Sequence, residues 1–318
     1  MLRLNRASTA TVLVCVTLAV SACSTEDSTF EGIPVFPVEE PKVTVVKPGR
    51  DPQQLRYKDA GTDDWSTSVA VSAGIDQSTA PAGTQVDPAA PRGGDVNTTT
   101  LPIDVSVSPA PAPGADELDA SRQVDFTVGE GRHSDLAIGR DVASAKDFLM
   151  RWRAADTGAV SSLQLLAPPD AAPRGLQLVE PALLSLVSAN VTLPEEPVGV
   201  GGVWKVDNRV AGDASAERTT TYTVSSIAGD TVTLDVEVEE RPTQRSLKIE
   251  GTAGGDLGGK DVTVESAQTS SEGQIVLDLT KPLPVSGQVA FTTRLVYSGE
   301  ENTARVVQDV TRAVKYGA

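Results

Sequence analysis

Histidine is almost absent from this chain. There is one, His133, in 318 residues, together with two cysteines, two methionines, three Trp, four Tyr and five Phe. Zinc and other soft-metal centres draw on several His or Cys ligands, so no metal site and no cofactor is expected. Basic side chains are also few, 27 against 43 acidic ones, for a formal charge of −16. A surface of that sign repels phosphate backbones, which excludes nucleic-acid partners. No apolar run is long enough for a membrane-spanning helix. The catalytic signatures G-x-S-x-G, S-x-x-K and H-E-x-x-H are missing, as is a phosphate-cradling glycine loop.

What the N-terminus does contain is a secretion signal. Arg3 and Arg6 precede the uncharged, mostly apolar stretch Ala7–Val20, which ends in Ser21, Ala22 and Cys23. A charged start, a short apolar middle and a small-residue end define such a leader, here 1–22. Val20-Ser21-Ala22-Cys23 resembles the bacterial lipobox, in which the thiol of the obligatory Cys attacks the lipid donor to form a thioether. Ordinary cleavage after the same Ala22 is the alternative and would leave Cys23 as a free thiol. The lipobox reading is favoured because signal peptides seldom place Cys directly after the cut. Lipidation of Cys23 would then fix the protein to the outer face of the cell membrane. Loss of residues 1–22 removes Arg3, Arg6 and Cys15 and leaves a charge of −18 with no possible intrachain disulfide, so stability rests on burial.

Three stretches are poor in apolar periodicity. Residues 23–50 carry Pro34, Pro37, Pro41 and Pro48 and are expected to form a disordered tether lifting the folded part off its anchor. Within the remaining 51–318, residues 76–100 (with PAG, DPAAPRGG and NTTT) and 108–121 (SPAPAPGADELDAS) are expected as disordered loops, since such composition cannot offset its ordering entropy. The pattern leaves open one β-rich domain or two halves, 51–190 and 191–318.

From Val203 onward apolar and polar residues alternate. Val232, Leu234, Val236 and Val238 share one face of an extended chain, and Thr233, Asp235, Glu237 and Glu239 the other. That period of two describes a sheet buried on one side. With turns at Ala228-Gly229-Asp230, Ser271-Glu272-Gly273 and Ser298-Gly299-Glu300, about eight strands follow from Trp204 to Tyr316 as an antiparallel meander. Further strands are expected in 52–75, 96–107 and 122–128. Residues 148–166 admit a helix capped by Ser144 and Asp147, or a hairpin turning at Asp156-Thr157-Gly158; the hairpin fits the strand alternation of the second half better. Gly175–Asn190 places Leu176, Val179, Leu183, Leu186 and Val187 on one helical face, with Pro181 either starting a straight segment or kinking a longer one. The fold class is therefore mainly β (α+β): an antiparallel meander sheet, curved, packed on one apolar helix.

Leu193-Pro194-Glu195-Glu196-Pro197-Val198-Gly199-Val200-Gly201-Gly202-Val203-Trp204, after the hairpin and the apolar helix and before TTTYTVSSIAGDTVTLDV, resembles a family of actinobacterial secreted lipoproteins defined only as a domain of unknown function. The resemblance spans roughly residues 120–318. It implies an exported, β-rich protein and brings no catalytic residues. Trp204 is open to two readings, a core aromatic or a ligand-stacking ring.

His133 lies in Glu130-Gly131-Arg132-His133-Ser134-Asp135, and neighbours on an extended backbone point to opposite sides, so these residues form no triad among themselves. A solvated loop histidine is expected. The acid pairs Asp63-Asp64, Glu195-Glu196, Glu239-Glu240 and Glu300-Glu301 follow no calcium-loop spacing and are expected on solvated faces. No enzymatic activity is expected. The leading expectation is non-enzymatic binding of a cell-envelope protein or of an apolar, lipid or glycolipid ligand, since a curved sheet on one helix is similar to the half-barrels of extracytoplasmic lipid carriers, an analogy of fold alone. An interaction scaffold of the envelope is the alternative, and an uncharacterised hydrolase ranks third. Intact-mass analysis of the mature protein should show two or three acyl chains on Cys23; an unmodified N-terminus in the culture fluid contradicts the anchor.

Overall fold

The computed structural model describes residues 28–81, 83–114, 117–210, 216–243, 246–248, 261–299 and 304–318. The expected leader 1–22 and Cys23 lie outside the described residues. The chain divides into two compact units, Met1–Gly32 and Ile33–Ala318. The described part of the first holds a 3-10 turn, Ser28–Phe30.

The second unit opens with three short strands, β1 (Phe36–Pro37), β2 (Lys42–Lys47) and β3 (Arg50–Gln53). The long β4 (Trp65–Pro81) and β5 (Asn97–Pro109) follow, then β6 (Arg122–Val128) and β7 (Arg132–His133). After α1 (Gly139–Ala143) come β8 (Leu149–Ala154) and β9 (Val160–Leu166), and after α2 (Pro173–Ser188) the short β10 (Val198–Val200). The C-terminal part is β11 (Val203–Val210), β12 (Ala216–Ala228), β13 (Thr231–Pro242), β14 (Ser246–Lys248), β15 (Asp261–Asp278), β16 (Ser286–Gly299) and β17 (Ala304–Tyr316).

Fifteen of these strands form one open antiparallel sheet, ordered β1-β9-β8-β6-β5-β4-β17-β16-β15-β13-β12-β11-β2, with β7 beside β5 and β14 beside β15. Each half of the chain is a meander. They are joined where the last strand lies along the first long one, from Ala304 opposite Pro81 to Tyr316 opposite Val69. Alternation sets the faces: in β13 Val232, Leu234, Val236 and Val238 are buried while Asp235, Glu237 and Glu239 are exposed. The same period buries Leu101, Ile103, Val105 and Val107 of β5. These faces and α2 enclose one large core.

The helix forms because Pro173 is preorganised for its first turn and Val179, Leu183 and Leu186 stack on its buried side. It runs unbroken through Pro181. Gly175 allows α1 to touch it, since a Cβ there would meet the Asp141 carbonyl at 1.9 Å. Ser144 Oγ links the two helices, donating to the Asp141 carbonyl at 2.6 Å and accepting from the Ala172 amide at 2.8 Å. The five-residue α1 was not legible in the apolar pattern. Residues 148–166 form the hairpin, with Gly158 at φ +91 in its turn.

Several expectations need correction. The spacer 23–50 does not stay free, because its Lys42–Lys47 pairs with Val203–Asp207 and its Phe36–Pro37 with Leu163–Ser162. The loop expected over 76–100 is trimmed at both ends by β4 and β5. The loop expected over 108–121 loses Ser108 and Pro109 to β5, and no regular element occupies its other described residues. Ser271-Glu272-Gly273 is no turn but the middle of β15, so seven described strands stand where about eight were counted. Of the turn at 298–300, Gly299 ends β16 and Glu300 lies outside the described residues. Past Asp235, β13 leaves the β15 ladder and crosses over it. Gly273 sits at the crossing, where a Cβ would lie 3.0 Å from the Val236 carbonyl oxygen. Beyond it, the Ser271 and Thr269 hydroxyls accept from the Val238 and Glu240 amides at 2.9 and 3.0 Å. Hydroxyls thus replace the missing backbone partners. Gly273→Val should therefore cost roughly 1–3 kcal/mol in urea unfolding, as overpacking does; unchanged stability contradicts the crossing.

Candidate functional site

The concave face of the sheet is packed with side chains. Tyr57, Tyr222 and Tyr316 meet there beneath the segment that leaves α2, and burial pushes all three phenols far above their ordinary pKa. Tyr316 Oη donates to the Ala189 carbonyl and Tyr57 Oη to the Val191 carbonyl, each at 3.4 Å. Trp204 Nε1 donates to the Thr192 carbonyl at 2.9 Å, and its ring stacks on Tyr222 with centroids 5.1 Å apart. Trp204 is fully buried and is a core aromatic. Trp152 packs edge-on against Phe126, with ring centroids 4.4 Å apart.

Two buried ion pairs brace this core. The Asp59 carboxylate is held by Arg122, whose guanidinium lies 4.3 Å over the Tyr57 ring. Glu240 accepts from Arg218 Nε and Nη2 at 2.9 and 2.7 Å, from Arg312 Nη1 at 3.3 Å and from Thr293 Oγ1 at 3.4 Å. Arg218 also lies 5.1 Å over Phe291. The pair Glu239-Glu240 therefore does not share a solvated face. Strand parity sends Glu239 out to Arg241 and Glu240 inward, a signal that the period of two carried and the acid spacing did not. Asp63, Asp64, Glu195 and Glu196 are exposed as expected, and Glu300-Glu301 lies outside the described residues.

His133 departs from its expected solvated position. Pairing with Thr99 leaves it 7% exposed. Its Nδ1 accepts from the Asp135 amide at 3.0 Å, and its buried Nε2 has no hydrogen-bond partner among the described residues. Ser134 Oγ turns instead to the Thr98 amide at 2.9 Å, and the Asp135 carboxylate caps the Ala137 amide at 2.9 Å. The three neighbours are thus spent on separate backbone contacts. Among the described residues, no three His, Cys, Asp or Glu side chains converge as a metal site.

Open space lies on the outer face. A groove of about 340 Å³ runs between Arg92–Gly93 and the β15–β17 wall, lined by Ser270, Glu272, Ala290 and Thr311. The loop above it is pinned by Arg294 Nη1 to the Asp87 carbonyl at 3.2 Å and by Arg305 Nη1 to the Thr84 carbonyl at 3.3 Å. Arg92 is exposed and has no hydrogen-bond or ion-pair partner among the described residues. Charged and hydroxyl groups line it together with apolar Ala290 and Phe291.

A second feature is the seam of the open sheet. Its two edges, β9 and β11, are held by the same N-terminal segment, through β1 and β2 respectively. The five steps from Pro37 to Lys42 can span no more than about 18 Å, so the sheet curls nearly closed. The segment then threads on past the LPEEPVGVGGVW stretch. Here Gly49, Gly199 and Gly202 let the two backbones touch, with a Cβ on Gly199 falling 1.9 Å from the Arg50 carbonyl oxygen. Arg56 Nη1 donates to the Pro194 carbonyl at 2.8 Å. Those glycines answer to this contact as well as to a turn.

No protein-family model matches the chain, and no curated protein matches it significantly. The resemblance built on the LPEEPVGVGGVW stretch thus stays a reading of those residues.

Removing one partner of a buried charge set strands the others. Glu240→Ala should cost about 3–5 kcal/mol in chemical unfolding, and Glu239→Ala under about 0.5 kcal/mol; equal effects contradict the assignment. The three tyrosines also set an alkaline limit. Their folded pKa values are raised, so stability is intact below the unfolded value near 10 and falls above it as the unfolded chain alone loses protons. Three such groups give a slope of about 4 kcal/mol per pH unit above pH 10. Tyr316→Phe should reduce that slope by about a third; a flat profile contradicts burial of the phenols.

Proposed function

We propose that this is a membrane-anchored extracytoplasmic lipoprotein that works without catalysis, by binding a partner of the cell envelope at its surface. The observation that carries the reading is the packed concave face: the place where a half-barrel carrier would hold an acyl chain is taken by α2, Trp204 and the three tyrosines. The groove under Arg92 lies away from that face and opens to solvent. The strongly acidic surface supports a partner with basic groups and argues against docking on anionic lipid except through the tether on Cys23.

Binding of an apolar or lipid ligand is the second reading, favoured by a sheet whose two edge strands do not pair with each other among the described residues. Protein purified from its own host and extracted with solvent separates the two. Less than one lipid per ten chains, with the anchor counted apart, is expected; one tightly held lipid per chain overturns surface binding. Cross-linking in intact cells should trap a discrete envelope protein. A wild-type protein that cross-links to nothing contradicts the proposal.

A further inference from the structure

The N-terminal segment holds the two sheet edges very unequally. On the β11 side, β2 pairs over Lys42–Lys47, with Val43 and Val45 packed on the core. The chain beyond is locked by β3 against β10, by Arg56 and by the buried Asp59–Arg122 pair. On the β9 side, the contact is two residues of ladder, Phe36 opposite Leu163 and Pro37 opposite Ser162. To this are added Val38, half-buried against the core with its amide donating to the Ser161 carbonyl at 2.9 Å, and Gln164 Nε2 donating to the Ile33 carbonyl at 3.0 Å.

The sequence explains why this ladder stops. Antiparallel residues alternate in the side to which they turn their N–H and C=O, so with Val38 bonded to β9 the next residues aimed there are Phe36 and then Pro34. Pro34 falls opposite Leu165 in this register and has no N–H to give. Phe36 turns its ring outward, 51% exposed, and buries little. Seven-residue β9 is therefore held at its outer edge by an arm that pairs over a fraction of its length.

We propose that residues 33–38 are a displaceable latch hinged at β2, and that the β9 edge beneath them is the docking site for an extended strand of the envelope partner. This rests on the surface-binding reading above and names its site. The occupant is a polypeptide strand because the resident arm is itself a strand, and an incomplete one. A partner strand with an N–H opposite Leu165 and an apolar residue in place of the exposed Phe36 makes every contact the arm makes and adds those it lacks. Pairing of Leu163 and Leu165 asks for apolar residues at alternate positions, and the acidic surface favours basic ones between.

The test uses the full chain and a lock. Pro37 and Ser162 face each other in the ladder, where Cα atoms lie about 4.5–5.5 Å apart, within disulfide reach. In hydrogen exchange of the wild type, the Phe36 and Val38 amides should exchange at least a hundredfold faster than those of Val43 and Val45. In the oxidised P37C/S162C variant they should slow at least tenfold while β2 is unchanged. The adduct trapped in cells should fall at least tenfold in the oxidised form and return on reduction. Equal protection of the two arms overturns the latch. An adduct that forms as well with the lock closed overturns β9 as the site and leaves partner binding elsewhere intact. No adduct in either form overturns partner binding and the docking site with it.

Discussion

The pairing of β17 with β4 is the constraint on which the rest depends. Two meanders from opposite ends of the chain would otherwise be separate sheets, each with a raw edge and half a core. Thirteen residues of β17, laid in register along β4, turn them into one wall. That wall is long enough to curl, and its curl brings β9 and β11 close enough for one short segment to hold both. Nothing covalent assists, since Cys15 and Cys23 are the only cysteines. The cost is topological: partners far apart in sequence must meet before the shared core can form.

Once curled, the sheet needs filling, and its chemistry shows how. One helix is too narrow for the concave space, and large rings complete it: Trp204 on Tyr222, Trp152 on Phe126, and the tyrosine cluster beneath Ala189–Thr192. The protein is poor in aromatics, and most of those it has are committed here. Where β13 swings across β15, the core face turns polar and Glu240 with its two arginines takes over from apolar packing. Beyond it lies a small second cluster of Val262, Leu295, Tyr297 and Val306. Packing therefore fills the core that the described residues form, and the proposed partner binding is placed at the edge of the sheet.

Legibility in the sequence tracked the range of the interaction. The alternation in β13, the hairpin at 148–166 and the apolar face of α2 are local patterns, and each stands in the structure. Residues 33–50 misled because four prolines describe a spacer equally well as an edge, and the strands that receive them lie far along the chain. Ser271-Glu272-Gly273 has turn composition, yet its glycine serves a crossing that only the three-dimensional sheet creates. Glu240 was visible as a buried position from parity, but its arginines come from β12 and β17, which no spacing rule joins. His133 was placed in solvent for want of a signal that Thr99 would pair with it. The candidate docking edge was hidden for the same reason: it depends on which strand ends up outermost.

One sheet with one core must unfold as one unit, whereas two halves sharing only a border need not. Native-state hydrogen exchange measures this directly through the slowest amides of β6 and β8 in the N-terminal meander and of β12 and β13 in the C-terminal one. The account predicts a single opening free energy for both sets, with the same dependence on denaturant. Two distinct values, with one meander opening while the other stays protected, would contradict it.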